Sequence, residues 1–139
     1  MSKYNLVLNK DTPPINNINN VTLTEFSNVV SGTAENILCE ILDGLTYEER
    51  LKTIGLMIKK LSFGGEITVK FINAYKICKD LIKGDINSKS WSEIVENSKS
   101  MFVESDILEI ISKTDKIKIN KIYNSNNHII AVLKKTNEQ

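Results

Sequence analysis

The chain has 139 residues, 41% of them apolar and 25% charged, with a net charge of +1. That length suits one domain around a single core and is small for an α/β enzyme with helices on both sides of its sheet. The acids and bases are interspersed, which leaves no basic footprint for nucleic acid or an anionic membrane, and no apolar run approaches the roughly 20 residues of a membrane span.

The start, "MSKYNLVLNKD", is polar and lacks a signal-peptide pattern, so the chain is expected to stay in the cytoplasm or to be assembled from there. "YNLVLN" (Tyr4–Asn9) reads as a short strand, stopped by "KDTPPI", whose consecutive prolines donate no ladder hydrogen bonds. "INNINN" is a turn-prone spacer. "VTLTEF" (Val21–Phe26) alternates like a strand, "SNVVSGTAE" has room for a helical turn or two, and "NILCEI" (Asn36–Ile41) is a continuous apolar run of the kind buried on both faces.

"TYEERLKTIGLMIKKL" is the clearest helix. Thr46 and Glu49 form a capping box, and Leu51, Ile54, Ile58 and Leu61 make an apolar stripe. Gly64 and Gly65 permit the positive φ that ends a helix. "EITVKF" then alternates, with Ile67, Val69 and Phe71 on one face, and a strand–helix–strand unit with parallel pairing follows. Helices are predicted in "NAYKICKDLIKG", in "SWSEIVENSKSMF" with Ser90 and Glu93 as a capping box, and in "VESDILEIISKT" with Ser105 as cap and Ile107, Leu108 and Ile111 inward. "KIKINKIY" (Lys116–Tyr123) and "HIIAVLKK" (His128–Lys135) flank "NSNN" and read as an antiparallel hairpin. Mixed pairing with helices between strands predicts a three-layer α/β or α+β arrangement.

"ENILCEILDGLTYEERLKTIGLMIKKLSFGGEITVKF" (Glu35–Phe71) resembles the region of class I S-adenosylmethionine-dependent methyltransferases from the fourth strand to the fifth. Leu42-Asp43-Gly44-Leu45 stands at the family's acidic motif, with Gly44 in place of its histidine, and Leu61-Ser62-Phe63-Gly64-Gly65 stands at its helix-to-strand step. The resemblance runs over roughly residues 35 to 135 and implies a Rossmann-like mixed α/β sheet with a C-terminal antiparallel hairpin, in one domain over residues 1–139. Its N-terminal strands, residues 1–35, are reduced, and residues 36–135 form the methyltransferase-like part.

The half that should bind the cofactor departs from the family. No Gly-x-Gly occurs anywhere, although only glycine lets a backbone come close to the methionine part of the ligand. Lys10, Asp11, Thr12 and two prolines follow the first strand instead, and Glu25 is the one acid to weigh for the ribose hydroxyls, with its register open. Asp43-Gly44 also reads as a turn leading to the Thr46 cap, and the glycine pair as a mark of the fold that holds no ligand.

Other chemistry finds little support. Cys39 and Cys78, in "ILCEI" and "YKICKDL", read as buried reduced thiols, and the single histidine leaves neither a zinc site nor a Ser/His/Asp or Cys/His system. His128 reads as a half-exposed strand residue. Glu40, at the end of a buried-type strand, is the carboxylate to inspect, either desolvated and reactive or capping a turn. Trp91, with Tyr75 and Phe102, has the spacing of core or lid packing rather than of base stacking.

Two functions are weighed. The first is a non-catalytic methyltransferase-like structural or interaction subunit, with no cofactor, metal or catalytic residue. It would engage a protein partner or a second copy through an exposed sheet edge, without nucleic acid or membrane, and its abundant Ile, Asn and Lys, residues of AT-rich codons, suit a bacteriophage assembly or virion. The second is an S-adenosylmethionine-binding enzyme whose site is completed in an oligomer, with Asn9, Glu40 and Asp43 holding the cofactor at the carboxyl ends of the strands. The space after Asn9, open to a ligand or filled by Pro13, Pro14 or Ile15, separates them.

Overall fold

The computed structural model describes residues 2–9, 11, 13, 17–101 and 103–136. Six strands form one mixed sheet: β1 (Lys3–Val7), β2 (Asn19–Thr22), β3 (Ala34–Cys39), β4 (Leu61–Ile72), β5 (Ile117–Ser125) and β6 (His128–Lys135), in the order β2-β1-β3-β4-β6-β5. The first four pair parallel, and β6 returns antiparallel to β4 with β5 antiparallel beyond it. Among the described residues the α-helices are α1 (Leu23–Ser27), α2 (Tyr47–Lys60), α3 (Ala74–Lys83), α4 (Ser88–Glu96) and α5 (Glu104–Ser112). This is the mixed α/β, methyltransferase-type sheet with a closing hairpin that the sequence predicts. Among the described residues no helix is long and apolar enough to cross a membrane.

Local chemistry sets the boundaries. The strand expected over Val21–Phe26 ends at Thr22, because Thr22 and Glu25 form a capping box and start α1 there. The Thr46–Glu49 box opens α2 as expected. For α4 the cap is Asn87, whose side chain accepts from the Ser90 amide, and not Ser90. In α5 the Asp106 carboxylate accepts from the Val103 amide, so the helix starts before Ser105.

The glycine pair does something other than stop the helix. Helix α2 ends at Lys60, and Leu61 is already extended and paired with Ala34. Asn36 pairs with Glu66, so residues 62–65 bulge out of β4 opposite Glu35. Gly64 takes φ 83°, and a Cβ on Gly65 would lie 2.9 Å from the Glu35 carbonyl and 3.0 Å from that of Ser62. The end of α2 is closed from a distance instead: the Lys135 ammonium donates to the carbonyls of Ile58 and Leu61.

Parallel register puts Leu6 beside Cys39 and Tyr4 beside Ile37 on one face, continued by Ile67, Val69 and Phe71 of β4 and Ile129, Ala131 and Leu133 of β6. Phe26 of α1, Ile54 and Met57 of α2, and Ile107, Ile110 and Ile111 of α5 pack onto it. Leu51 and Leu108, expected inward, are exposed, since the buried arc of α2 is centred on Arg50, Ile54 and Met57 and that of α5 on Ile107. Leu38, Thr68, Ile130 and Val132 lie on the opposite face, outside that core.

Cys39 is buried, which pushes its thiol up to about 12, while Cys78 is exposed on α3, contrary to the expected burial. Native protein should therefore release one equivalent in a rapid thiol titration with Ellman's reagent and the second only on unfolding. Gly65→Ala should lower stability by about 1–3 kcal/mol, and Gly64→Ala by about 1–2 kcal/mol. Gly55→Ala, where an added Cβ meets nothing within 4 Å on exposed α2, should raise stability by about 0.5–1 kcal/mol, all read from denaturant midpoints.

Candidate functional site

In an open α/β sheet, ligands bind outside the carboxyl ends of the strands, where strand order reverses. Here that place lies between β1, which is followed outward by β2, and β3 on its other side. Leu8 leaves β1 with 56% of its surface exposed, and its Cδ1 lies 2.9 Å from where a Cβ on Gly44 would stand. Gly44 is thus the floor against which Leu8 rests. Asn9 turns the chain, its side-chain oxygen accepting from the Asp11 amide at 3.0 Å. Pro13 contributes its carbonyl to Asn20, and Pro14 and Ile15 lie outside the described residues. Glu25 is engaged in its own helix cap: Oε1 accepts from both the amide and the hydroxyl of Thr22 at 3.1 Å.

A second hollow opens at the carboxyl ends of β3 and β4. It is a cleft of about 210 Å³ lined by Glu40, Asp43, Lys70 and His128. Two of the expected residues, Glu40 and Asp43, therefore meet, while Asn9 is not among the lining residues. Asp43 sits in a 3-10 turn, Leu42–Gly44, that closes β3. Its carboxylate accepts from the Ile72 amide at 3.1 and 3.3 Å, and its carbonyl accepts from the Lys99 amide at 2.8 Å. Burial raises its pKa above the ordinary aspartate value, against the opposing pull of the Ile72 hydrogen bond, Arg50 and His128. Glu40 lies 3.8 Å from the Lys70 ammonium, on a half-exposed pair that contributes little stability.

Lys70 and His128 were not singled out for this cleft from sequence. Each is an outward strand residue, and what places them is pairing: Cys39 pairs with Val69, and His128 pairs with Ile72 because β6 runs back along β4. The length of "EITVKFIN" before the helix and the antiparallel return were the available signals. Behind the cleft stands Arg50, fully buried, with Nε donating to the Ser100 hydroxyl at 2.8 Å while that hydroxyl donates to the Leu45 carbonyl. This pins the chain after α4 over the turn that carries Asp43. Tyr75 is exposed on α3 and Trp91 half-buried on α4; Phe102 lies outside the described residues.

Two carboxylates, an ammonium and an imidazole around one small cleft can bind a polar group of either charge and hold or move a proton. Among the described residues no group of three His, Cys, Asp or Glu is placed to hold a metal ion.

No family model matches the chain, and no curated protein matches it. Solved structures do. A protein assigned as a type 11 methyltransferase from Sulfolobus solfataricus aligns over 99% of this chain and 73% of its own, at TM-score 0.59 and 14% identity. The plantazolicin methyltransferase BpumL, solved in complex with SAH, aligns over 97% of this chain and 66% of its own, at TM-score 0.64 and 14% identity. An S-adenosylmethionine-dependent methyltransferase from Anabaena variabilis aligns over 96% and 68%, at TM-score 0.60 and 14% identity. The chain has a class I methyltransferase-type fold and spans about two thirds of the length of BpumL.

Asp43 has a raised folded pKa, so between its unfolded and folded values the native state binds the proton more tightly, and this group's contribution to stability falls as pH rises. Asp43→Asn should remove that component. The variant's denaturant midpoint, relative to the parent's, should improve from acid toward neutral pH, and a parallel pair of curves would rule out the shift.

Proposed function

We propose that the crevice at the carboxyl ends of β1 and β3 takes a ligand of the S-adenosylmethionine type, in a protein of the methyltransferase kind. The observation that carries this reading is an apolar side chain, Leu8, left exposed over a side-chain-free Gly44 at the place where strand order reverses. The described residues fit such a ligand at β1 and β3 and do not fit it at β2. Leu8 and Gly44 offer an apolar floor, and Asn9, Glu40 and Asp43 offer polar groups at the strand ends. Among the described residues the acid weighed for the ribose side, Glu25, is held in the cap of α1 by Thr22. The rest of the cradle would then come from a second copy or a partner chain. When bound, the cofactor would supply a methyl group; this chain's own residues, Asp43 and His128 in the adjoining cleft, would take up the proton that the acceptor gives up.

One observation favours a second reading. Leu8 also occupies the space beside Gly44 that a close-approaching ligand would need, so the scaffold could persist without its cofactor as a structural or interaction subunit, for example of a bacteriophage assembly.

Calorimetric titration with S-adenosylmethionine and S-adenosylhomocysteine separates the two. On the first reading both bind in the micromolar range and raise the melting temperature, and Gly44→Val abolishes the heat while the protein stays folded. No heat and no thermal shift at millimolar ligand would overturn it in favour of the second reading.

A further inference from the structure

Charge is interspersed over the chain as a whole, the ground for expecting no nucleic acid, but the hairpin of β5 and β6 departs from that average. From Lys116 to Thr136 it carries five of the chain's 18 basic residues and none of its 17 acids. Register then sorts them by face. Lys118 pairs with Lys134, Lys121 with Val132 and Tyr123 with Ile130, which puts three lysines and a tyrosine on the face opposite the core. The bulge between Ile119 and Lys121 is what keeps Lys121 on that face while Ile122 still turns inward. On β4, Thr68 and Lys70 continue it next to Val132 and Ile130.

The helices of the core, α1, α2 and α5, lie on the other side of the sheet, and among the described residues this face is partly exposed at Thr68, Lys70, Ile130 and Val132. Lys118, Lys121 and Lys134 are exposed, as is Tyr123 at 42%, with the Lys121 ammonium 4.8 Å from its ring centre. Glu66, opposite Lys134, and Glu40, beside Lys70, share the face on β4 and at the end of β3.

We propose that this open face binds single-stranded nucleic acid, DNA or RNA, non-specifically. Charge complementarity selects a polyanion, because the hairpin has cations and no acids. The exposed tyrosine on the sheet face selects one with bases to stack: open sheets bearing aromatic and basic side chains suit splayed single strands. A protein partner is the poorer fit, since Ile130 and Val132 are half-buried among lysines and give no contiguous apolar centre to bury.

The test is fluorescence anisotropy with labelled mixed-sequence DNA and RNA single strands of about 16 nucleotides. Binding should lie in the micromolar range at about 50 mM salt and weaken steeply by about 200 mM. The variant K118Q/K121Q/K134Q should weaken it at least about tenfold and flatten the logarithmic salt slope by about 0.7 per lysine. Tyr123→Ala should weaken it roughly fivefold or more with the salt slope unchanged. K52Q/K59Q, on α2 across the sheet, should leave it as it was. Thermal melts confirm that each variant folds, and the single variants K121Q and K134Q give the same readout should the triple one not fold. Absence of binding at low salt would overturn the proposal, as would binding that none of the hairpin variants changes. Displacement by polyglutamate as effective as by unlabelled oligonucleotide, with Tyr123→Ala silent, would also overturn it and assign the face to an acidic protein.

Discussion

Everything on the carboxyl side of this sheet depends on how β3 and β4 are locked together. Ala34 pairs with the first residue after α2, Asn36 with Glu66, and the four residues between are pushed out as a bulge. With that offset absorbed, Cys39 pairs with Val69, Lys70 comes level with Glu40, and the Ile72 amide arrives where the Asp43 carboxylate can accept it. Gly65 is the residue that permits it, because the backbones of Glu35 and Ser62 close in on both sides of its Cα. A register slip of one residue would turn Ile67, Val69 and Phe71 out of the core, so the same lock that shapes the cleft also holds the apolar face inward.

How far the sequence revealed this follows from which interactions are local. Capping boxes act within four residues, and the Thr46–Glu49 box was readable; so was the alternation of "EITVKF" and the antiparallel hairpin. The Thr22–Glu25 box was equally local but was masked by an alternating "VTLTEF" that reads as strand. What stayed hidden was long-range. Nothing within five residues of Gly64-Gly65 distinguishes a helix stop from a bulge; the deciding partner is Glu35, about thirty residues away. The cleft was half legible: Glu40 and Asp43 lie on one short stretch, whereas Lys70 and His128 join them only through the strand order.

The two faces of the sheet are layered differently. Helices α1, α2 and α5 cover one face. On the other, Asn5 and Val7 of β1 are buried, Asn5 donates to the Asn20 side chain and Asn20 to the Pro13 carbonyl, while Thr68, Lys70, Ile130 and Val132 of β4 and β6 are partly exposed. The outward positions of the hairpin carry lysine, and the outer strand β5 bears a bulge and charge, the features that keep a sheet edge from pairing with another.

The place of β6 in the order has a consequence for biosynthesis. The longest strand, β4, has β3 on one side, made before it, and β6 on the other, which leaves the ribosome more than fifty residues later. Until then one edge of β4 has no partner, and the carbonyls of Ile58 and Leu61 lack the lysine that closes α2. Translation therefore passes through a stage in which the hydrophobic centre of the sheet is half built and open to the wrong strand, and the completion of the fold is timed by the arrival of its last hairpin.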